Sequence, residues 1–413
     1  MRVLRVRDPF HRGQLAIAAL FCALGFQYAT WAARIPALKS DLGLTAAEVG
    51  VLLMAAGVGA AVSFPLVAAL MRRLGSQRLA LLSALALALV LLALAAAPNY
   101  PVALLVMCVD GVLVGCLNVA MNAQGAALES RYERNAMARL HATFSAGSLL
   151  AALLASGMNA VTSAVAAHFG AAAALLLLLV VVARTGLLAD EPAAGKPEKA
   201  EETEEAEASR EAGKKRARKW AVPSALTLWM CVAMAFGTVT EGAMNDWSAL
   251  YLEEVADASE GLAPLGIAVV SGMMVVARLF ADGWRSRFGD GRVVLLGSAL
   301  AGVGLLLALV SGGLVPALIG FACVGLGIAA VTPCVYVAAA GQGSDSLTLV
   351  AAMGTTGLLA GPPLIGFIAH ASSLVWGFAA VAASALVVAA CSTRIRWTPA
   401  GQPSGAAEQL SHT

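Results

Sequence analysis

Apolar stretches of about twenty residues recur twelve times along this chain, and they restrict its fold more than any other feature. A helix rising 1.5 Å per residue needs about 20 residues to cross a hydrocarbon core of about 30 Å. The stretches occupy residues 15–37, 46–70, 79–97, 102–126, 138–160 and 163–184, then 222–251, 262–283, 292–312, 314–338, 346–370 and 372–392. Hydrophobic residues make up 60% of the 413 and charged ones 13%, with a mean hydropathy of +0.81. That balance excludes an ordinary soluble domain and leaves no support for nucleic-acid binding. The expectation is an all-α integral membrane protein with twelve transmembrane helices. The first stretch follows Arg2, Arg5, Arg7 and Arg12 as a signal peptide would. It is nevertheless long enough to span and many spans follow it, so it reads as a retained helix.

One long polar segment interrupts this pattern, from Asp190 to Lys219. It carries Glu198, Glu201, Glu202, Glu204, Glu205, Glu207 and Glu211, and ends in Lys214, Lys215, Arg216, Arg218 and Lys219. Such a composition cannot bury enough apolar surface to fold alone, so residues 190–220 read as a charged cytoplasmic linker. Its basic end suits anionic headgroups, at about 1 kcal/mol per charge. Residues 1–189 and 221–393 then form two six-helix units, and 394–413 a cytoplasmic tail. With the N-terminus in the cytoplasm, only Arg34 and Lys39 of the 27 basic residues fall on the outer side, a strong positive-inside bias that also returns the C-terminus to the cytoplasm. The outer loop after the seventh stretch is acidic, with Glu253, Glu254, Asp257 and Glu260.

The two units repeat. Arg73-Leu74-Gly75-Ser76-Gln77-Arg78 reads against Arg287-Phe288-Gly289-Asp290-Gly291-Arg292, at an offset of 214 residues (289 less 75). Cys108-Val109 reads against Cys323-Val324 near the same offset. Internal duplication of this kind is typical of secondary transporters and predicts two pseudo-symmetric six-helix bundles. The seven cysteines lie in or beside apolar runs with no CxxC or His-paired spacing. They read as small apolar fillers, so neither a metal nor a cofactor is expected.

The six-linker-six layout resembles the major facilitator superfamily over the whole chain. The segment after the second stretch is similar to that family's Gly-x-x-x-Asp-Arg-x-Gly-Arg-Arg signature: Arg73 and Gly75 match, while Ala68 and Arg72 stand where Gly and Asp are usual. The second copy keeps an acid, Asp282, with Arg278 one turn earlier and Arg285 and Arg287 after it. The resemblance implies a gate of ion pairs closing the inner face in one state; the alternative is an Arg278–Asp282 helical pair with topology-setting arginines. Residues 25–36, Asn118 to Gln124, Leu140 to Ser145, Glu241 to Ser248 and Gly361 to Gly366 resemble a bacterial branch distantly similar to the fucose:proton symporters. Gly115-Cys116-Leu117-Asn118 is similar to their Gly-Cys-Leu-Glu, but the symporter's membrane Glu falls on Asn118 and its first-helix Asp on Ala32.

Polar groups inside a membrane are costly and are functional candidates. Asp110 lies about 12 Å into the fourth stretch at 1.5 Å per residue. Desolvation there couples a carboxyl's charge to its access to water, as a proton carrier needs; the alternative is an Asp hydrogen-bonded to a neighbouring helix. Glu241 and Asp246 in the seventh stretch are further proton-coupling candidates and possible ion-pair partners of Arg34, which otherwise marks the membrane boundary. His141 is a candidate relay because it sits in a recognisable segment, whereas His168 reads as structural. Gln27, Tyr28 and Trp31 with Asn118 and Asn122, which share a helical face, form the expected substrate site; the asparagines could instead hold helices together. The eleventh stretch, with Gly354, Gly357, Gly361, Pro362, Pro363 and Gly366, should bend or pack tightly.

These features predict a secondary active transporter of a small polar or amphipathic solute, working by alternating access and driven by the proton gradient. An efflux pump of the same fold is the alternative, and a non-transporting sensor a weaker one for want of an output domain. No GxxxxGK[ST] is present, and no nucleophile–base constellation suggests an enzyme. The expected setting is the bacterial plasma membrane, with the chain acting as a monomer.

Overall fold

A computed structural model describes residues 8–134, 136–189 and 223–397, except for the side chains of Ala138, Asp282 and Ser344. The expected linker and the tail beyond Trp397 lie outside the described residues, so neither can be placed. Among the described residues the chain is helical throughout, with no strand. The helices of the first half are α1 (Pro9–Ala32), α2 (Ile35–Asp41), α3 (Ala46–Ala95), α4 (Tyr100–Tyr132), α5 (Met137–Asn159) and α6 (Val165–Arg184). Those of the second half are α7 (Ala225–Glu254), α8 (Leu265–Phe288), α9 (Asp290–Ser311), α10 (Leu314–Ile328), α11 (Val331–Ala340), α12 (Ser344–Ala371) and α13 (Leu374–Ser392).

Ten of the described helical runs are long and apolar enough to cross a membrane, with α10 and α11 acting as one run and α8 contributing a shorter apolar segment, Leu265–Ala281. Helix starts are set by local chemistry. The Asp8 side chain accepts from the Phe10 amide at 3.0 Å, Asn99 from Val102 at 3.1 Å and Ser224 from Thr227 at 3.1 Å. Thr45 and Glu48 form a reciprocal capping box at the head of α3. Each satisfies a backbone donor that the helix leaves free.

Three expected boundaries move. The second and third apolar stretches are joined in α3, a 50-residue run interrupted only at Gly75, whose φ of 75° and ψ of 171° are non-helical. A straight helix of that length would measure about 75 Å, more than twice a hydrocarbon core, and Gly75 is the residue that can turn it. Gly289, between α8 and α9, has φ 80° and ψ 152°, nearly the same conformation at the same 214-residue offset. Conversely, the first and tenth stretches each break. Pro36 and Pro333 lack an amide donor, and their rings would crowd the carbonyls four residues earlier, at Ala32, the last residue of α1, and at Ala329, the C-cap of α10.

Close helix crossings follow the same offset. A Cβ on Gly111 of α4 would strike the Ala56 carbonyl of α3, and one on Gly325 of α10 would strike the Val270 carbonyl of α8; 325 less 111 and 270 less 56 are both 214. Small residues let backbones meet where two apolar helices have no hydrophobic reason to associate in lipid. Helix α1 packs on α5 and α6, α3 on α4, α7 on α12 and α13, and α9 on α10 and α13. The two halves meet through α3 with α12, α5 with α8, and α1 and α2 with α7. Large apolar side chains such as Leu178, Leu307 and Val310 point outward, as lipid-facing residues of a multi-pass membrane protein should.

Candidate functional site

Helix α1 is the axis of the site. Successive helical residues point about 100° apart, so Gln27 and Tyr28 address different neighbours. Gln27 Nε2 donates to Asp110 Oδ1 of α4 at 2.6 Å. The Tyr28 hydroxyl donates to Asp246 Oδ1 of α7, and thereby joins the two halves. Asp110 and Asp246 are only 2% and 4% exposed, and among the described residues neither has an ion-pair partner. Trp31 packs edge-on against Tyr28 with ring centroids 5.0 Å apart.

Gln27, Trp31 and Arg34, spaced four and three apart, line one face of α1 and its end. Each keeps a buried polar atom with no protein partner: Gln27 Oε1, Trp31 Nε1 and Arg34 Nη2. Buried polar atoms are nearly always satisfied; among the described residues Asn159, His168, Trp247, Ser248 and Ser298 keep one as well, but only on α1 do three fall along one face, which makes that face the candidate for meeting a ligand.

Arg34 departs from expectation. Its backbone caps α2 where Pro36 interrupts α1, and its side chain turns back into its own half. Nε donates to His168 Nδ1 of α6 at 3.1 Å, and Nη1 to the Ser163 carbonyl at 3.3 Å. Because His168 Nδ1 accepts, that imidazole is neutral with its hydrogen on Nε2. The expected partners of Arg34 are engaged elsewhere: Asp246 with Tyr28, and Glu241 with Arg278 Nη2 at 3.3 Å. Beside Arg34 lies a polar cavity of about 240 Å³ that also includes Asp41, Asn159, Glu253 and Glu260 in its wall.

Arg278 has partners that the sequence did not point to. Its guanidinium reaches sideways to Glu241 of α7 and to the Ser145 hydroxyl of α5 across the halves. Arg285 is held by Asp290 through two hydrogen bonds of 2.8 and 3.1 Å. Arg287 lies over the Phe288 ring at 5.4 Å, and Arg73 is exposed beside Gly75. The side chain of Asp282, the acid of the expected inner gate, lies outside the described residues.

The expected substrate residues are only partly assembled. Gln27, Tyr28 and Trp31 cluster, but Asn118 lies about 12 Å further along α4 from Asp110. Asn122 Nδ2 donates to the Asn118 carbonyl and side-chain oxygen at 2.7 and 2.6 Å, so the two asparagines satisfy each other. Gln124 instead ties α4 to Ser76 at 2.7 Å and to the Leu188 backbone at 3.0 Å. His141 is exposed near the start of α5, edge-on to Phe21 at 4.9 Å.

The two halves are linked by side chains toward the end of the bundle where α1 finishes. There Lys39 pairs with Glu254, the Ser156 hydroxyl donates to the Gly261 carbonyl, and Asn159 Nδ2 donates to the Glu260 carbonyl at 2.6 Å. A Cβ placed on Gly50 of α3 would lie 3.0 Å from Pro363 Cα and 3.2 Å from Gly366 Cα of α12, so these helices are in backbone contact. This confirms tight packing for the eleventh apolar stretch. Of these latches, the Lys39–Glu254 pair had a sequence signal, since Lys39 is one of two cations facing an acidic outer loop. Ser145 had none beyond its place in a recognisable segment.

Comparison with known proteins agrees with this architecture. The Major Facilitator Superfamily profile matches residues 15–345. An uncharacterized MFS-type transporter of Yersinia pestis is 30% identical over 394 residues, covering 92% of this chain and 95% of that protein. The solved D-xylose-proton symporter superposes with a TM-score of 0.70 at 14% identity, covering 95% of this chain and 99% of that one. The nucleoside transporter NupG gives a TM-score of 0.66 at 14% identity, covering 94% of this chain and 98% of that one. On the profile match and the Yersinia relative, with a helical membrane fold to match, this chain belongs to the Major Facilitator Superfamily, a family of transporters rather than enzymes.

Proposed function

We propose that the chain is a secondary active transporter that moves a small polar solute by alternating access, with a proton gradient as driving force. The two moving bodies are residues 1–189 and 221–393, joined by 190–220. Twelve crossings result if α3 counts as two about Gly75, and α10 with α11 as one. The observation that carries this reading is the face of α1: Gln27, Trp31 and Arg34 present unpartnered polar atoms, while Gln27 and Tyr28 hold one buried carboxylate from each half. A solute binding there touches both bodies; Asp246 loses its Tyr28 partner as α1 and α7 separate, while Asp110 keeps Gln27 within the first half and exchanges its proton when water reaches the opened site.

Under the positive-inside topology, with both termini in the cytoplasm of a bacterium, the latched end is the outer one. The structure then corresponds to the state closed to the outside. Hydroxyl-rich solutes fit the site best, because its free atoms are neutral donors and acceptors beside one guanidinium. The likeness of residues 115–118 to the fucose:proton symporters favours the same class. The single chain is taken as the working unit.

The test begins with a thermal-shift screen of D-xylose, L-fucose, uridine and glucosamine on the purified protein, since a ligand of the folded state raises its stability. A solute that binds should show counterflow in proteoliposomes without ATP. Asp110→Asn should abolish proton-driven accumulation and leave exchange largely intact. Binding without counterflow would refute transport, and uphill accumulation by the variant would remove Asp110 from the coupling path.

A further inference from the structure

A groove on the outside of the second half is built from residues that the transport reading does not use. It lies between α8, α9 and α10, encloses about 290 Å³, and is lined by Trp284, Phe288, Leu296, Leu300 and Leu326, with Arg292 as its charged member. Its floor is bare because α9 and α10 meet at glycines: a Cβ on Gly327 would strike the Gly297 carbonyl, and the reverse also holds. From Arg292 to Leu300 the groove runs about 12 Å along α9, most of the roughly 15 Å depth of one leaflet's hydrocarbon. Phe280 and Trp284 stack at 6.0 Å along its α8 side, the kind of aromatic pair that sits at headgroup level.

A sequence-remote segment that carries two arginines packs at the same end. Trp397 packs its ring against the backbone of Gly291, where a Cβ would come within 2.5–3.0 Å of the indole. Its Nε1 donates to the Ser392 carbonyl at 2.8 Å. Ile395 is buried and Trp397 half-buried, while Arg394 and Arg396 are exposed on the segment that Trp397 anchors at Gly291, the neighbour of Arg292 in sequence. Asp290, the acid in this turn, is taken by Arg285. Arg287, Arg292, Arg394 and Arg396 have no ion-pair partner among the described residues. Arg292 is thus the charged member of a groove that is otherwise apolar, Arg287 lies over its Phe288, and Arg394 and Arg396 are carried by the segment that Trp397 packs against Gly291.

We infer that this groove is a binding site for an anionic phospholipid, with one acyl chain along α9 between Trp284 and Leu300 and the phosphate among Arg292, Arg396 and their two neighbours. Charge complementarity selects the occupant: a zwitterionic lipid would fill the groove equally but bring a cation into the arginine cluster. Arginine guanidinium also matches phosphate oxygens in geometry as well as charge.

Native mass spectrometry of the full chain in neutral detergent, titrated with palmitoyl-oleoyl phosphatidylglycerol or with phosphatidylcholine of the same chains, tests the site. Phosphatidylglycerol should bind at least fivefold more tightly. Arg292→Gln with Arg396→Gln should remove that preference, while Arg139→Gln with Arg184→Gln, the same loss of charge at other exposed positions, should keep it. Leu300→Trp, which fills the groove without changing charge, should weaken retention of both lipids. Equal binding of the two lipids by the unaltered protein overturns the proposal even if a variant fails to fold. So does an equal effect of the control pair, which would reduce the cluster to general surface charge. Saturation of the site by glycerol 3-phosphate alone would show a soluble-phosphate site instead, and a silent Leu300→Trp would remove the groove from it.

Discussion

Gly366→Ala offers a direct test of whether the α3–α12 contact is a gate or static packing. A Cβ at this position would sit 2.7 Å from the Ala46 carbonyl, 2.9 Å from Gly50 Cα and 3.2 Å from Gly50 N. All three are backbone atoms, so no rotamer change relieves the clash. Ordinary contact begins at 3.4 Å, and α3 and α12 must therefore separate by about 0.7 Å (3.4 less 2.7). Overpacking of this kind costs about 1–3 kcal/mol. If the contact exists only while the α2 end of the bundle is closed, the whole cost falls on that state and shifts the equilibrium about 5- to 150-fold toward the open one. Spin labels at Asp41→Cys and Ser259→Cys, in a background with the seven native cysteines replaced, report the distance between halves at that end by double electron–electron resonance. The variant should populate a longer distance. Gly157→Ala, whose new Cβ meets nothing within 4 Å, should leave the distribution as it was. An unchanged distribution in Gly366→Ala, together with an unchanged melting temperature, would refute the clash itself. Lower stability without a longer distance would refute the gate and leave only packing.

Two further outcomes follow from local geometry. Gly75→Ala and Gly289→Ala each force a side chain into a conformation that is nearly reserved for glycine, at φ 75° and 80°. Each should lower the detergent melting temperature, by a destabilisation of about 1–3 kcal/mol, and similar losses at the two sites would support the internal repeat. Asp8, outside the membrane, has its carboxyl held below the ordinary range, first by Arg134 and then by the Phe10 amide. A depressed carboxyl pKa contributes stability above the unfolded value that is lost as pH falls through the folded one. Hydrogen–deuterium exchange of peptide 8–16, corrected for intrinsic rate, should therefore lose protection only below about pH 4. Asp8→Asn should lose the Arg134 contribution at every pH, and protection that fades well above pH 5 would refute the assignment to Asp8.

The sequence by itself determined the solvent of this protein and where several of its helices lie. Run length, hydropathy and the distribution of arginine and lysine are properties of segments one at a time, and lipid enforces them directly, so α4, α6, α9 and α13 lie where the apolar stretches predict. The repeat was legible for a related reason: Gly75 and Gly289 are needed by the backbone itself, whatever surrounds them. Pro36 and Pro333 were equally visible, yet the breaks they impose in the first and tenth stretches were not anticipated, because a proline near a helix end can also be accommodated as a first-turn residue.

What only the tertiary structure decided is which polar groups meet. Asp110 and Asp246 were recognisable as costly, but not that adjacent residues of α1 would hold one each. Arg34 was expected across the halves and is found on His168; Arg278 was expected at a cytoplasmic helix end and is found between Glu241 and Ser145. In water, a helix's amphipathic stripe tells which side faces inward. In a membrane, lipid is as apolar as the protein interior, so a sequence such as Leu-Leu-Leu-Leu-Leu in α6 carries no record of its rotation. The faces of these helices are set instead by small-residue contacts and a few buried hydrogen bonds. Those are properties of pairs, and they come into being only when the helices are packed.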